Sequence, residues 1–224
     1  MILASATLFD KQYLSGETEK RAAAGIDRRR PDGYITAKQS EATIIQGVSM
    51  IRCFDRTQIP LTARAFNEAE MLVCRHFRLS DGDLRENRYD VKTLAFLQEH
   101  EVKDGAFAHL CKYTYEKPGV DGAGGFDFYR VCLQDNIILD AVDRAASFVK
   151  LAPLMLYIAA HELIHVLRFG SGLSDFDAPG EEKEREEKIV HFLTRSALQT
   201  VRHNDLDIVF DCFSSGFSIG DICN

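Results

Sequence analysis

His161, Glu162 and His165 stand as His-Glu-x-x-His in a run from Leu151 to Leu167 that is otherwise uncharged. On an α-helix, residues four apart lie one above the other, so both imidazoles can reach one ion while Glu162 sits beside it, free to act as a base. Those residue types at that spacing point to a catalytic zinc site. A helix that is apolar all round is normally a buried one, and ionisable side chains are costly to bury unless they are paired or coordinate a metal. A metal-free core cluster would have to find a partner for each of the three groups.

From Ile158 to Leu167 the chain resembles the extended active-site helix of the zincin metallopeptidases, being uncharged or hydrophobic wherever that pattern asks for it. The resemblance covers this helix and the segment after it. It implies that His161 and His165 bind Zn2+, that Glu162 is the general base and that a third protein ligand lies downstream. The metzincin branch would need Gly in place of Arg168 and His in place of Ser171, and is excluded. The Gly-Thr-x-Asp signature of the aspzincins is absent as well.

The gluzincin branch takes its third ligand from a Glu on a second helix, often with a supporting acid four residues later. After the loop from Gly170 to Gly180, a run of acids followed by an apolar period reads as a helix start. Glu184, Glu187 and His191 share one flank of that helix, next to Val190, Leu193 and Ala197. The resemblance then implies Glu187 as the third ligand, with His191 as its support one turn on or as an extra ligand. Glu186, Glu184 and the loop acids Asp175 and Asp177 are the alternatives, because acids at a helix start also suit a solvated face and the helix dipole. Ligation by His191 as well would close the coordination shell and make the site structural.

Two neutral imidazoles and one carboxylate leave zinc a net positive charge and a position open to water, whose pKa falls toward ~7. Glu162 would take the proton as that water attacks a carbonyl and hand it to the leaving amine. The expected activity is hydrolysis of peptide or amide bonds in a peptide or protein substrate. His203, Arg195 and Tyr157 are candidates to stabilise the oxyanion, by nearness in sequence alone. The competing possibilities are a catalytically inactive zinc-binding regulatory or interaction protein, a metal-free core cluster, and a non-haem iron protein, which would favour Glu-x-x-His repeats that this chain lacks.

The elements that must position these residues imply an α+β fold: a single zincin-like domain over 37–224, with a small, mostly antiparallel sheet packed on the active-site helix and further helices around it. Residues 1–36 read as an exposed or mobile lead-in. An amphipathic helix is expected from Pro60 to Phe77 and another from Val91 to His100. Strands are expected from Ala106 to Tyr115 and from Phe126 to Leu133, joined by a long Gly-rich turn from Pro118 to Gly125. A helix from Asn136 to Phe148 leads to the active-site helix, and His203 to Asn224 reads as an irregular tail. By analogy with zincins, one strand of the hairpin would align an extended peptide through main-chain hydrogen bonds.

The 224 residues, 46% of them hydrophobic, suffice for one sizeable core. A net charge of -7 disfavours nucleic acid as a partner, and Arg28, Arg29 and Arg30, the one basic cluster, are flanked by Asp27 and Asp32. Met1 to Asp10 lack the charged start of a signal peptide, and the apolar run at Leu151 carries its His and Glu residues in what reads as a core helix, with no membrane role. Six Cys without any Cys-x-x-Cys pair fit free thiols in a reducing cytoplasm, acting as small core residues and not as zinc ligands.

Overall fold

Asp55 starts the first element of the computed structural model, which describes residues 52–80, 87–115, 125–145, 148–201 and 204–214. Its carboxylate accepts the backbone N–H groups of Thr57 at 2.7 Å and Gln58 at 2.9 Å, and the Gln58 side chain accepts the Asp55 N–H in return at 2.9 Å. This reciprocal pair satisfies donors that a helix start leaves over, and helix α1, Gln58–Phe77, follows with Pro60 in its first turn. Thr62, Ala65, Phe66, Ala69, Leu72 and Val73 form its buried stripe. Arg78, in the left-handed conformation at φ 55°, closes it while the Leu79 N–H donates to the Cys74 carbonyl at 2.9 Å. The expected lead-in over 1–36 lies outside the described residues, as does most of the Gly-rich turn.

Strands β1 (Tyr89–Lys92), β2 (Ala108–Tyr115) and β3 (Phe126–Leu133) form a sheet of order β1-β3-β2. β2 runs antiparallel to β3, with Leu110 opposite Val131, whereas β1 runs parallel to it, with Val91 opposite Val131. The sheet is therefore mixed, and with the helices around it the fold is α+β. Val131 and Leu133 face the core, and Ala108, Leu110, Tyr89 and Val91 pack against it.

The helix expected from Val91 to His100 does not form. The segment supplies β1 and then two single turns of 3-10 helix, Leu94–Phe96 and Glu99–Glu101. Pairing with the open edge of β3 outweighs the local helical spacing, and Arg130 of β3 locks the register by a two-pronged contact with Asp90, both N···O distances being 2.8 Å. Each short turn is then held by side chains: the Leu94 N–H donates to Asp135 at 3.0 Å, and Glu101 accepts the Gln98 N–H at 2.8 Å.

Helix α2, Asp135–Arg144, leads to helix α3, Leu151–Gly170. Pro153 falls in the first turn of α3, where a missing N–H costs nothing. From Pro153 to Leu167 every residue of α3 is buried except His161. By length and composition α3 could cross a membrane, but 78% of its apolar window is covered by protein. It packs against α1, α2 and strands β2 and β3, and against two helices that follow, α4 (Gly180–Leu198) and α5 (Asn204–Ser214). The irregular tail expected from His203 is thus a helix as far as Ser214. Leu206, Val209 and Phe210 are buried at three- and four-residue spacing, which lets α5 fold onto α3, and residues 215–224 lie outside the described set.

Asp135, fully buried, joins three segments: its carboxylate accepts the N–H of Phe54 at 2.9 Å and that of Leu94 at 3.0 Å. Asp135→Ala strands both donors. It should lower unfolding stability by about 2–4 kcal/mol in urea titrations, whereas the exposed Asp104→Ala should stay within ~0.5 kcal/mol of the parent. Equal midpoints for the two variants would remove Asp135 from that role.

Candidate metal centre

The apolar surface of α3 brings two imidazoles to one place, and α4 completes the set. His161 and His165 approach through their Nε2 atoms at 3.2 Å. One Glu187 carboxylate oxygen lies 3.2 Å from His161 Nε2 and the other 3.2 Å from His165 Nε2. Glu187 is half exposed, at 52%, while the two His side chains are 12% and 8% exposed, so the group has one wet side. Ligand atoms ~2.0–2.1 Å from a tetrahedral zinc ion lie about 3.3–3.4 Å from each other, close to the spacing found here.

Without a cation this triangle is frustrated. If each Nε2 carries a proton and donates to Glu187, two N–H groups face each other. If one His instead donates to the other, the acceptor ring turns a lone pair toward the carboxylate. A cation at the centre converts all three contacts into attractions. The donor set, two imidazoles and a carboxylate, suits zinc. The remaining ring nitrogens, Nδ1 of His161 and of His165, are buried with no hydrogen-bond partner among the described residues. Packing orients the rings in place of the usual acceptor: Phe169 stacks on His165 with centroids 5.5 Å apart, and Tyr157 lies nearly parallel to His161 at 6.3 Å.

The electrostatics follow from burial and these neighbours. Burial pushes the His161 imidazolium pKa down to about 4, with His165 adding to the effect and Glu187 opposing it. Burial works the same way on His165, but Glu187, Glu162 and Glu186 outweigh it and leave this ring raised. Burial also opposes ionisation of Glu187, yet hydrogen bonds and charges from both His residues hold its carboxyl well below the usual range. Glu162, on the same helix and buried, is raised by burial to about 7, with Glu187 pushing further up and His165 and Lys103 pulling down.

Register between α3 and α4 is set one residue away from the cluster. Arg168 grips Glu186 with Nε–Oε1 at 2.5 Å and a second contact from its other guanidinium nitrogen at 2.9 Å. Glu186, an alternative ligand on sequence grounds, sits in the buried stripe of α4 with Val190 and Thr194 and is spent on this pair. Glu184, Asp175 and Asp177 are exposed and lie outside the cluster, Asp175 accepting the Asp177 N–H at 2.9 Å in a turn.

His191 is not among the converging donors. Its Nδ1 lies 2.7 Å from the Tyr157 hydroxyl, and its ring centroid is 4.6 Å from that of His161. Burial lowers the His191 pKa and raises that of Tyr157, so the pair is a neutral imidazole beside a neutral phenol. Phe213 of α5 covers Tyr157, their rings stacked at 4.2 Å. Of the other groups considered for an oxyanion, Arg195 lies over the Phe210 ring at 5.3 Å and His203 is outside the described residues.

A second convergence carried no sequence signal of the usual kind. His109, Cys111 and Cys132 also bring their donor atoms within 4.8 Å of one another. Cys132 is fully buried, as a small core residue would be, and its Sγ lies 3.7 Å from that of Cys111. The alternation of His109 and Cys111 on one strand was the available clue.

Comparison with known proteins finds no match: no protein-family model, no curated protein and no solved structure is significantly similar to the chain.

If Glu187 belongs to the metal set, Glu187→Ala should weaken Zn2+ binding by more than the roughly 10–100-fold typical of a supporting residue, and Glu184→Ala should leave it unchanged. Competition against a chromophoric chelator measures both. Equal affinities would move the third ligand elsewhere.

Proposed function

We propose that the chain is a zinc-dependent hydrolase of peptide bonds, related in mechanism to the gluzincin branch of the zincins. The observation that carries the proposal is the triangle of His161 Nε2, His165 Nε2 and the Glu187 carboxylate, each contact 3.2 Å, with the buried Glu162 on the same helix. Zinc held there supplies a Lewis acid that acidifies water and polarises a carbonyl. These three side chains would hold the ion, and because His191 stands outside the set, they would leave it a position for water.

Glu162 is the proton carrier in this scheme. As a carboxylate it takes a proton from the attacking water, and as the acid so formed it returns that proton to the leaving amine. Its buried position favours a carboxyl that exchanges protons near neutrality, and a nearby dication draws it toward the ionised form needed for the first step. Tyr157 and His191 lie at the His161 end of the cluster and are the described groups best placed to donate a hydrogen bond to a developing oxyanion.

An extended substrate needs a strand edge. β3 is paired on both sides, so β2, which packs against α3, is the strand of the hairpin with an unpaired ladder edge among the described residues. We assign the alignment of a peptide to that edge.

Glu162→Gln separates catalysis from binding. The variant should keep its fold and its zinc and lose ~10²–10⁴ in rate of cleavage, measured by mass spectrometry on a mixed peptide library with a chelator control. Equal chelator-sensitive cleavage by variant and parent would refute the role of Glu162. Zinc binding with no cleavage of any peptide by the parent would instead favour a zinc-binding regulatory or interaction protein.

A further inference from the structure

The face of the sheet turned away from α3 carries its own donor cluster. In the β2–β3 ladder His109 stands opposite Cys132 and Cys111 opposite Arg130, so all four side chains share that face, while Leu110 and Val131 point to the other. Cys111 Sγ lies 3.7 Å from His109 Nε2 and 3.7 Å from Cys132 Sγ. Tetrahedral zinc, with Zn–S ~2.3 Å and Zn–N ~2.0–2.1 Å, places two sulfurs about 3.7–3.8 Å apart and sulfur and nitrogen about 3.5–3.6 Å apart. Both Cys111 separations lie close to that template, the third donor pair is within 4.8 Å, and the sulfurs are too far apart for a bonded disulfide at ~2.05 Å.

We propose that His109, Cys111 and Cys132 form a second metal site, specific for a thiophilic divalent cation of the zinc class and independent of the cluster on α3.

The ligand chemistry suits such an ion. Two thiolates balance a dication, and His109 is held neutral by burial, with Lys103 adding to the effect, as a nitrogen ligand must be. Of the neighbouring charges, Arg130 on the same face favours thiolates, while Glu101, paired with Arg130, opposes them more strongly, so the ion itself has to stabilise the thiolate form. Burial keeps Cys111 and Cys132 as thiols when no metal is present, so the cluster is inert until an ion displaces their protons. His109 Nδ1 is buried without a partner among the described residues, which leaves the sulfur-facing Nε2 as the side of the ring with a polar neighbour. Bound metal would clamp β2 to β3 by a link that the backbone ladder lacks.

Sulfur ligation gives the site a spectroscopic signature that a His and Glu set cannot produce. Full-length protein carrying His161→Ala and His165→Ala, kept reduced, is titrated with Co2+. The expected result is thiolate-to-cobalt charge-transfer absorption in the near ultraviolet that saturates at about one equivalent. Cys111→Ser should remove it, His109→Ala should weaken cobalt binding at least ~10-fold, and Cys53→Ser, at an exposed cysteine, should leave it intact. Zn2+ should also raise the melting temperature of this background protein and not that of its Cys111→Ser derivative. Cys132→Ala is a second test of the sulfur pair. Should that fully buried position not tolerate the change, the half-buried Cys111 decides alone. Absence of the absorption with both Co2+ and Cd2+, or its survival in Cys111→Ser, would overturn the proposal. Because the α3 cluster contributes no sulfur, the outcome is the same whether or not that cluster holds zinc.

Discussion

Helix α3 is apolar on every side and must be covered on every side, and the rest of the chain is arranged to meet that constraint. α1, α2, α4, α5 and two strands all pack on it. Into this dry setting the sequence places His161, Glu162 and His165. An apolar side chain at any of the three positions would pack without cost, whereas each ionisable group must recover its lost hydration from a specific partner. Glu187 is the only acid of α4 whose carboxylate reaches both rings, and even it leaves the His161–His165 contact unresolved among neutral tautomers. Burial that is costly without an ion and favourable with one is the physical content of the candidate site.

The placement of Glu187 depends on its neighbour. A guanidinium with two contacts to one carboxylate fixes both distance and rotation, which a point charge does not. The Arg168–Glu186 fork therefore sets the rotation of α4 about its axis as well as its nearness to α3. With Glu186 turned into the buried stripe, the next residue is turned by about 100° to the flank that faces the imidazoles. A slip of one residue would put Glu187 into the stripe and Lys188 against two histidines. The Tyr157–His191 hydrogen bond is a second tie, one turn before His161 on α3 and one turn after Glu187 on α4. The two cross-links bracket the cluster.

Much of this was legible in the sequence, for a physical reason. Periodicity is local, so α1, α3, α4 and both strands of the hairpin could be read from their apolar spacing. β1 could not: it is four residues long and exists because β3 offers it an edge and Arg130 offers Asp90 an ion pair, both distant in sequence. α5 was obscured because the Gly and Ser residues near the C-terminus drew attention from the spacing of Leu206, Val209 and Phe210. Within the site, the choice between Glu186 and Glu187 turned on Arg168. In the sequence that residue was legible only as a departure from the metzincin pattern. Its role becomes visible once the two helices are side by side. The cysteine cluster was hidden for the same reason, because strand pairing brings together residues with no fixed separation along the chain.

The two clusters differ in what happens when they are empty, and that difference bears on how each would hold an ion. At the α3 cluster no assignment of protons satisfies all three contacts, so the empty state retains an electrostatic penalty that an ion relieves. At the sheet cluster the empty state is comfortable: neutral thiols donate weakly to a sulfur or an imidazole nitrogen, and burial stabilises the uncharged forms. An ion entering there must displace two protons from thiols that burial makes reluctant to lose them, and the gain has to come from the metal–ligand bonds to the two sulfurs and His109. Equal ligand counts therefore do not imply equal occupancy. On the proposed reading, an ion at the α3 cluster relieves a penalty already present, whereas one at the sheet cluster must first drive protons off two thiols.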